Sequence, residues 1–350
     1  MTPAFCLRDL SMTSPTPETE FALVCYRHRA MATVFEVLLP WGTPRGEAIA
    51  SDAAALIDRL EAQLTGYRDT SEVCRLNYIA AAAPVPVERG LFKLLSDAQR
   101  LSTSTGGAFD ITAGPLIKAW GFFHRQGRIP SQEEIANAMK SVGMAHVSLD
   151  PDRRSVRFDR RGVEINLGSI GKGYALDRVA RRMQKRWKQP SALLNGGTSS
   201  VLAVGNPPND PRGWLVGLKH PDQSNRRLAI LRLRDRAMAS SGTTFQHFDY
   251  NDRRFGHLLD PRTGRPAHGI ALATALAPTA AAADALATAF FVLGIEGTAR
   301  YCAENPNVAA AMLTDDPHNE LVTFNLAPDD VLPGGEVQIP AADDSSWESA

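Results

Sequence analysis

The stretch PTAAAADALATAFFVLG (residues 278–294) decides how this chain folds. It is almost wholly apolar, which is typical of a helix buried inside a protein rather than one lying on its surface. The apolar tract around it, residues 269–295, has the length of a membrane span, but Pro278 and Asp284 interrupt it and alanine dominates it. We therefore predict a buried strand followed by a core helix, and no transmembrane segment.

Two oxygen-bearing side chains stand out in this helix. Asp284 and Thr288 are four residues apart, so on an α-helix they project from the same face one turn apart. A carboxylate and a hydroxyl in that arrangement suit Mg²⁺, and a bound cation would compensate the buried charge. Alternatively, Asp284 caps a neighbouring strand or accepts backbone hydrogen bonds. The spacing does not separate these two interpretations.

A second segment, NLGSIGKGYALDRVA (residues 166–180), joins a strand-like run to an amphipathic helix. Its glycines, Gly168, Gly171 and Gly173, bring bare backbone close to a neighbour. Amide groups and the dipole at a helix N-terminus favour an anion, and Lys172 adds a positive charge, so a diphosphate is a natural ligand. A tight turn between strand and helix would explain the same glycines. No GKS or GKT follows, so this is not a Walker sequence.

Composition indicates an ordinary enzyme-sized chain. It has 350 residues, 44% of them hydrophobic, and 38 basic residues balance 38 acidic ones. This balance argues against electrostatic binding of nucleic acid. The four cysteines form no CxxC pair, so neither a zinc site nor a disulfide framework is indicated. Residues 1–30 lack an apolar run of signal-peptide length, and we expect a cytoplasmic protein.

Periodicity predicts an α+β fold with sizeable antiparallel sheets. Apolar spacing places helices at residues 46–64 and 91–102. Residues 146–167 are predicted to form three strands separated by turns, ending with VEINL (residues 163–167). Further strands are predicted at residues 33–39, 214–219, 228–233 and 308–313.

Segments that occur in order along the chain resemble the ApbE family of flavin transferases, which move FMN from FAD onto a threonine of another protein. The segment at residues 166–180 and the helix at 278–294 are two of them. The others are RAMATVFEV (29–37), LTGYRDTSEVCRLN (64–77), GGAFDITAGPLIKAWGF (106–122), LLNGGTSSVLAVG (193–205), MASSGTTFQHF (238–248) and HLLDPRTGRP (257–266). The resemblance spans roughly residues 29–315.

The resemblance implies a catalytic domain at residues 29–326, between a polar, flexible leader at 1–28 and a poorly ordered tail at 327–350. Its architecture would be ApbE-like, with antiparallel or mixed sheets flanked by helices in a T-fold-like arrangement. Family members are often exported and lipid-anchored, unlike the cytoplasmic residence expected for this chain.

Site residues are also implied by the resemblance. The metal would be Mg²⁺, held by Asp284, Thr288 and the Ser169 carbonyl, and His257 would transfer a proton because its ordinary pKa lies near neutrality. Independently of the resemblance, Asp260 precedes Pro261 and a Pro-Arg-Thr-Gly turn, so we expect it to orient this loop rather than react. Contacts to FAD would come from Met31, Tyr67, Ala108, Phe109, Asp110, Asn166, Lys172 and Leu259.

Some positions depart from the family pattern. Asn166 stands where the family usually has an aspartate that contacts the flavin, which removes a carboxylate from the expected site. Ser169 and Gly171 lie where Gly-Ile-Ala-Lys-Gly is commoner, and Thr243 lies where aspartate often follows Ser-Gly.

Trp120 would pack in the core rather than stack on a flavin.

The implied activity is Mg²⁺-dependent transfer of FMN from FAD to a threonine hydroxyl of an acceptor protein, with release of AMP. The partners would be FAD as substrate and the acceptor protein, without nucleic acid. Two alternatives use the same residues. Water in place of the threonine would make the protein an FAD pyrophosphatase, and loss of turnover would leave a non-catalytic FAD-binding or delivery protein.

Overall fold

The computed structural model describes residues 21–124, 127–223, 225–242, 247–250, 253–315 and 321–335. The helices in these ranges are α1 (Gly46–Leu64), α2 (Glu72–Ile79), α3 (Arg89–Ser104), α4 (Gly114–Ala119), α5 (Gln132–Met139), α6 (Gly171–Arg182) and α7 (Ala280–Glu304). A π-helical turn, Met183–Trp187, continues α6.

The strands form five sheets within the described residues. They are β1 (Leu23–Ala30), β2 (Thr33–Pro40), β3 (Val85–Pro86), β4 (Val147–Asp150), β5 (Ser155–Phe158), β6 (Ala192–Gly196), β7 (Ser200–Val204), β8 (Trp214–Lys219), β9 (Arg227–Leu233), β10 (Ala237–Gly242), β11 (His247–Tyr250), β12 (Arg253–Gly256), β13 (Leu259–Asp260), β14 (Arg265–Pro266), β15 (Ile270–Ala277), β16 (Ala309–Thr314), β17 (Leu321–Phe324) and β18 (Val331–Pro333).

The main sheet has eight strands in the order β1-β2-β6-β7-β10-β15-β16-β17, and each neighbouring pair is antiparallel. The sixth strand in this order, β15, is buried at every position. Ala273 and Ala275 pack into the core on the helical face, whereas Leu276 packs with Trp214 and Leu231 of the small β18-β9-β8 sheet on the other face. Cover on both faces explains why β15 is apolar at every position except Thr274, instead of alternating.

Helix α7 lies in the core against β10 and β15. Most of its first half is buried, from Ala280 to Phe291. A non-helical residue, Gly294 at φ 68° and ψ −171°, kinks the helix further on. Among the described residues, α7 is the one helix with the length and hydropathy of a membrane span. Its packing against the sheet accounts for that composition, and the predicted order of buried strand and core helix is confirmed.

Two contacts join α6 to α7 in opposite directions. The Gly173 N–H donates to Asp284 Oδ2 over 2.7 Å. In return, the Asp177 carboxylate accepts from the N–H groups of Ala280 at 2.8 Å and Ala281 at 3.0 Å. We call these five residues the α6–α7 clamp. It replaces part of the hydrogen bonding that the first N–H groups of any helix lack.

Most predicted elements occur where the sequence placed them. Helix α1 and strand β8 have the predicted bounds, and α3 begins at Arg89, two residues before the prediction. The earlier start of α3 has a local cause, because the Glu88 side chain accepts from the N–H groups of Gly90 and Leu91 and caps the helix there.

The predicted strand VEINL is wrong. Residues 163–167 form only an isolated parallel bridge, between Glu164 and Ala113. The Ile165 backbone instead exchanges two hydrogen bonds with the Asn77 side chain, at 2.8 and 2.9 Å. A side chain 88 residues away in sequence therefore satisfies the groups that a neighbouring strand would have paired.

Both predicted domain limits also need correction. Strand β1 begins at Leu23 and pairs with β2 along its whole length, so the leader predicted at 1–28 overlaps the main sheet. Strand β18, inside the tail predicted at 327–350, pairs with β9. The remaining residues of the leader and tail lie outside the described residues.

Two glycines at the start of α6 predict opposite responses to alanine. A Cβ on Gly173 would lie 2.1 Å from the Ala280 carbonyl oxygen, whereas a Cβ on Gly171 would meet nothing closer than 4.0 Å. Gly173→Ala should therefore lower the free energy of unfolding by about 1–3 kcal/mol through overpacking. Gly171→Ala should leave it unchanged or raise it by about 0.5 kcal/mol. Urea denaturation of both variants compares them directly, and equal effects would contradict the close packing described at Gly173.

Candidate active site

A cavity of about 380 Å³ lies where the N-terminus of α6 meets α7 and the end of β10. It is lined by parts of residues 108–113, 166–172, 239–242 and 257–261, together with Asp284 and Thr288. Its volume falls in the range of small-molecule sites. Tyr67, which is 70% exposed, lines the part of the cavity that reaches the surface.

The cavity gathers almost all of the residues that the sequence assigned to a site. Those that line it are Tyr67, Ala108, Phe109, Asp110, Asn166, Ser169, Lys172, His257, Leu259, Asp284 and Thr288. Met31 is the exception. It lies in the β1–β2 turn with φ 50°, and its N–H donates to Glu61 Oε1 at 2.8 Å. The structure thus gives Met31 a role in the turn and does not place it in the wall of this cavity.

Asp284 is buried, with 6% of its surface exposed, and both of its carboxylate oxygens are engaged. Oδ2 accepts from the Gly173 N–H, and Oδ1 accepts from Ser200 Oγ at 2.5 Å. Burial raises the pKa of Asp284 above its ordinary value, and the nearby Lys172 and these two hydrogen bonds oppose the rise. The backbone-acceptor interpretation of Asp284 therefore applies, and it does not exclude the cation site, since each oxygen keeps a second lone pair.

The oxygen atoms around Asp284 are suitable ligands for a hard cation. Thr288 Oγ1 donates to the Asp284 carbonyl at 3.3 Å and lies 3.4 Å from Ser241 Oγ, and Ser169 lines the same cavity. No cluster of three or more His, Cys, Asp or Glu side chains occurs in the part of the chain that the structure describes. One carboxylate with neutral oxygens, completed by waters and substrate phosphates, is a typical Mg²⁺ environment.

The N-terminus of α6 is the cationic part of the cavity. Within the described residues, the Lys172 ammonium makes no hydrogen bond or ion pair, although it lies close enough to Asp284 to lower that carboxyl's pKa. A free ammonium beside a helix N-terminus is suited to phosphate.

The sequence suggested that the glycines before and within α6 approach a ligand, but not all of them do so. Gly173 makes its close approach to the α7 backbone, not to the cavity. The Gly168 N–H donates to Asn166 Oδ1 at 2.9 Å, which closes a turn immediately before α6. The tight-turn interpretation is therefore correct for Gly168, and helix packing explains Gly173.

Asp110 is a structural centre of its loop. Its carboxylate accepts hydrogen bonds from the Thr112 N–H and hydroxyl, from the Met144 N–H at 2.9 Å and from Ser102 Oγ at 3.3 Å. Phe109 beside it is 1% exposed and belongs to the core. This segment forms a wall of the cavity, and donors from its own loop, from α3 and from Met144 already occupy the Asp110 carboxylate.

His257 lines the cavity with its ring edge-on to Phe122, the ring centroids 6.5 Å apart. Three residues further on, the Asp260 side chain accepts from the Arg262 backbone and guanidinium, each at 2.9 Å. The Asp260 carbonyl accepts from the Gly264 N–H at 2.8 Å. Asp260 therefore orders the turn that follows His257, in agreement with the sequence interpretation.

Trp120 belongs to the core, as predicted. It is 3% exposed, stacks on Phe255 and donates its indole N–H to the Gly264 carbonyl at 2.9 Å. It does not line the cavity.

Sequence reasoning missed a row of hydroxyl groups on one wall. Ser199, Ser240 and Ser241 line the cavity, and Ser200 behind them orients Asp284. The paired serines in LLNGGTSS and MASSG were the available signal.

Sequence reasoning also missed the stacking of Tyr67 on Phe123, with ring centroids 4.7 Å apart. Thr243, a predicted departure, lies outside the described residues.

Comparison with known proteins decides the family. A sequence profile of the ApbE family matches residues 31–313. The chain belongs to the ApbE family. An FAD:protein FMN transferase of Haemophilus influenzae is 31% identical over 315 residues, covering 87% of this chain and 89% of that protein.

Solved ApbE structures have the same fold. The ApbE protein of Thermotoga maritima superposes with a TM-score of 0.78 at 27% identity, covering 86% of this chain and 97% of that one. The apo flavinyl transferase ApbE of Pseudomonas stutzeri gives 0.75 at 28% identity, covering 88% and 96%. The predicted family and the predicted α+β, ApbE-like fold class are confirmed.

Asn166→Asp tests the departure from the ApbE pattern. A carboxylate can keep the hydrogen bond from the Gly168 N–H and offers a second acceptor oxygen where the native amide has a donor. We expect FAD to bind more tightly by about fivefold, the worth of roughly 1 kcal/mol for one hydrogen bond. Fluorescence titration measures this, with Asn166→Ala as the variant that loses both groups. Unchanged affinity in Asn166→Asp would remove the flavin-contact role from this position.

Proposed function

We propose that this protein is a Mg²⁺-dependent FAD:protein FMN transferase, which moves FMN from FAD onto a threonine hydroxyl of an acceptor protein and releases AMP. The observation that carries the proposal is the meeting, in one cavity, of a buried carboxylate and hydroxyl on α7 with the cationic N-terminus of α6. Membership of the ApbE family supports it.

The diphosphate of FAD explains why these two features must be adjacent. A threonine oxygen attacks phosphorus only when the negative charge of the phosphates is offset, and Mg²⁺ supplies that offset when bound. Asp284, Thr288 and the Ser169 carbonyl would hold the ion, and Lys172 with the α6 amides would hold phosphate oxygens. Positioning and electrostatics provide most of the catalysis in this class of reaction.

His257 completes the machinery as general base. An imidazole nitrogen would take the proton of the threonine hydroxyl while its oxygen forms the new bond to the FMN phosphorus. The bond from that phosphorus to the oxygen of AMP breaks, and AMP leaves with that oxygen. The imidazole lines the cavity, and the Asp260–Arg262 contact orders the turn that follows it.

Incubation with FAD, Mg²⁺ and a threonine-bearing acceptor protein tests the activity, with EDTA as the control. We expect the acceptor to gain the mass of an FMN group in step with release of AMP, and EDTA to abolish both. Free FMN and AMP without modification of the acceptor would show a pyrophosphatase instead. FAD that stays intact in the presence of the acceptor would show a binding protein.

Replacement of the base should separate chemistry from binding. His257→Ala should lower the rate of FMN transfer by about 10²–10⁴-fold, the usual contribution of a general base, with little change in FAD affinity. His146→Ala is the matched control, because His146 pairs with Asp159 and does not line the cavity. Equal rates in the two variants would rule out His257 as the base.

A further inference from the structure

We propose that Asp177 is a positioning residue for the cation site, because it holds the N-terminus of α7 and thereby fixes where Asp284 and Thr288 stand. The inference rests on the proposed function, since it takes these two residues as cation ligands. Asp177 does not line the cavity, so it acts through the helix and not through contact with the ion.

The cap that Asp177 provides is unusual in its origin. The first N–H groups of a helix lack partners inside it, and the residue just before the helix normally supplies one acceptor. In α7 that residue, Thr279, accepts from Ala282 at 3.2 Å. The N–H groups of Ala280 and Ala281 donate to the two carboxylate oxygens of Asp177, 103 and 104 residues earlier in the chain. A side chain of α6 thus holds the end of α7 at two points.

The second half of the clamp makes this hold directional. Gly173 and Asp177 are one turn apart on α6, and Ala280 and Asp284 are one turn apart on α7. At Gly173 an N–H of α6 donates to α7, whereas at Asp177 two N–H groups of α7 donate to α6. Together these contacts fix both the position of α7 along α6 and its rotation relative to α6. Loss of one would let Asp284 move relative to Ser169 and Lys172, which precede and begin α6.

Because Gly173 has no Cβ, the backbones of α6 and α7 pack so closely at the clamp that the two helices have little room to move relative to each other. With the α6 backbone against the Ala280 carbonyl, a small displacement of the α7 N-terminus creates a clash or a gap.

Asp177 also lies close enough to Asp284 for the two charges to interact. Burial raises the pKa of Asp177 to about 6, the backbone groups of Ala281 and Ala280 oppose the rise, and the charge of Asp284 adds to it.

A general loss of stability is the competing explanation, and Asp52 provides the control for it. Asp52 on α1 also holds α6 from another helix, through Arg182 at 2.7 and 2.8 Å and the Trp187 indole at 3.0 Å. It grips the opposite end of α6 and does not line the cavity. Asp52→Asn should therefore destabilise the fold without changing the affinity for the cation.

Calorimetric titration of Mn²⁺ into the FAD-bound protein tests the inference. Asp177→Asn keeps the size of the side chain but leaves one acceptor for two N–H groups, and we expect Mn²⁺ to bind about 10-fold to 100-fold more weakly, as for other residues that orient metal ligands. Affinity for FAD without metal should change by less than about threefold. In Asp177→Glu, which keeps the charge but is longer by one methylene, Mn²⁺ binding should also weaken, because the helix end is displaced.

Turnover gives a second readout. In Asp177→Asn the KM for Mg²⁺ should rise by about the same factor as the loss of affinity, and kcat at saturating Mg²⁺ should stay near the wild-type value. Asp52→Asn should change neither value. Wild-type Mn²⁺ affinity in both Asp177 variants, or an equal loss in Asp52→Asn, would overturn the positioning role.

The same titrations separate this inference from the proposed function. A wild-type protein that binds Mn²⁺ but transfers no FMN would refute the transferase, while weaker binding in the Asp177 variants would still support the positioning role. A wild-type protein that binds no Mn²⁺ in the presence of FAD would refute both.

Discussion

The close approach of α6 to α7 at Gly173 is the contact on which the site depends. A Cβ at this position would lie 2.1 Å from the Ala280 carbonyl oxygen, so only glycine lets the two backbones meet. The meeting brings the Gly173 N–H to Asp284 and the Asp177 carboxylate to the start of α7. Helix α7 is at the same time the core helix of the main sheet, so one wall of the cavity belongs to the core.

The buried carboxylate of Asp284 is the point at which stability and function meet. An isolated ionised carboxylate in the core costs several kcal/mol, and two hydrogen bonds and a nearby ammonium offset only part of that. Burial still raises the pKa of Asp284 above its ordinary value, so these contacts compensate its charge only in part. A divalent cation bound at α7 would compensate the buried charge of Asp284 and would also offset the negative charge of the FAD phosphates.

Local patterns predicted what depends on near neighbours in sequence. The bounds of α1, the buried strand β15 with its core helix, and the pairing of Asp284 with Thr288 on one helix face all follow from apolar spacing and helical geometry. Tertiary partners decided the rest. The purpose of Gly173 depends on a residue 111 positions later, and the structure of residues 163–167 depends on Asn77, 88 positions earlier. Family resemblance assigned Met31 to FAD, whereas its N–H donates to Glu61 in a turn that lines no part of this cavity.

Crystals soaked with Mn²⁺ and FAD would test whether the cation binds at α7, because anomalous scattering locates the ion without assumption. We predict one Mn²⁺ in contact with Asp284, Thr288 and the Ser169 carbonyl, with the FAD diphosphate between that ion and Lys172 at the N-terminus of α6. Either an ion bound away from α7 or an FAD diphosphate remote from the α6 N-terminus would contradict it.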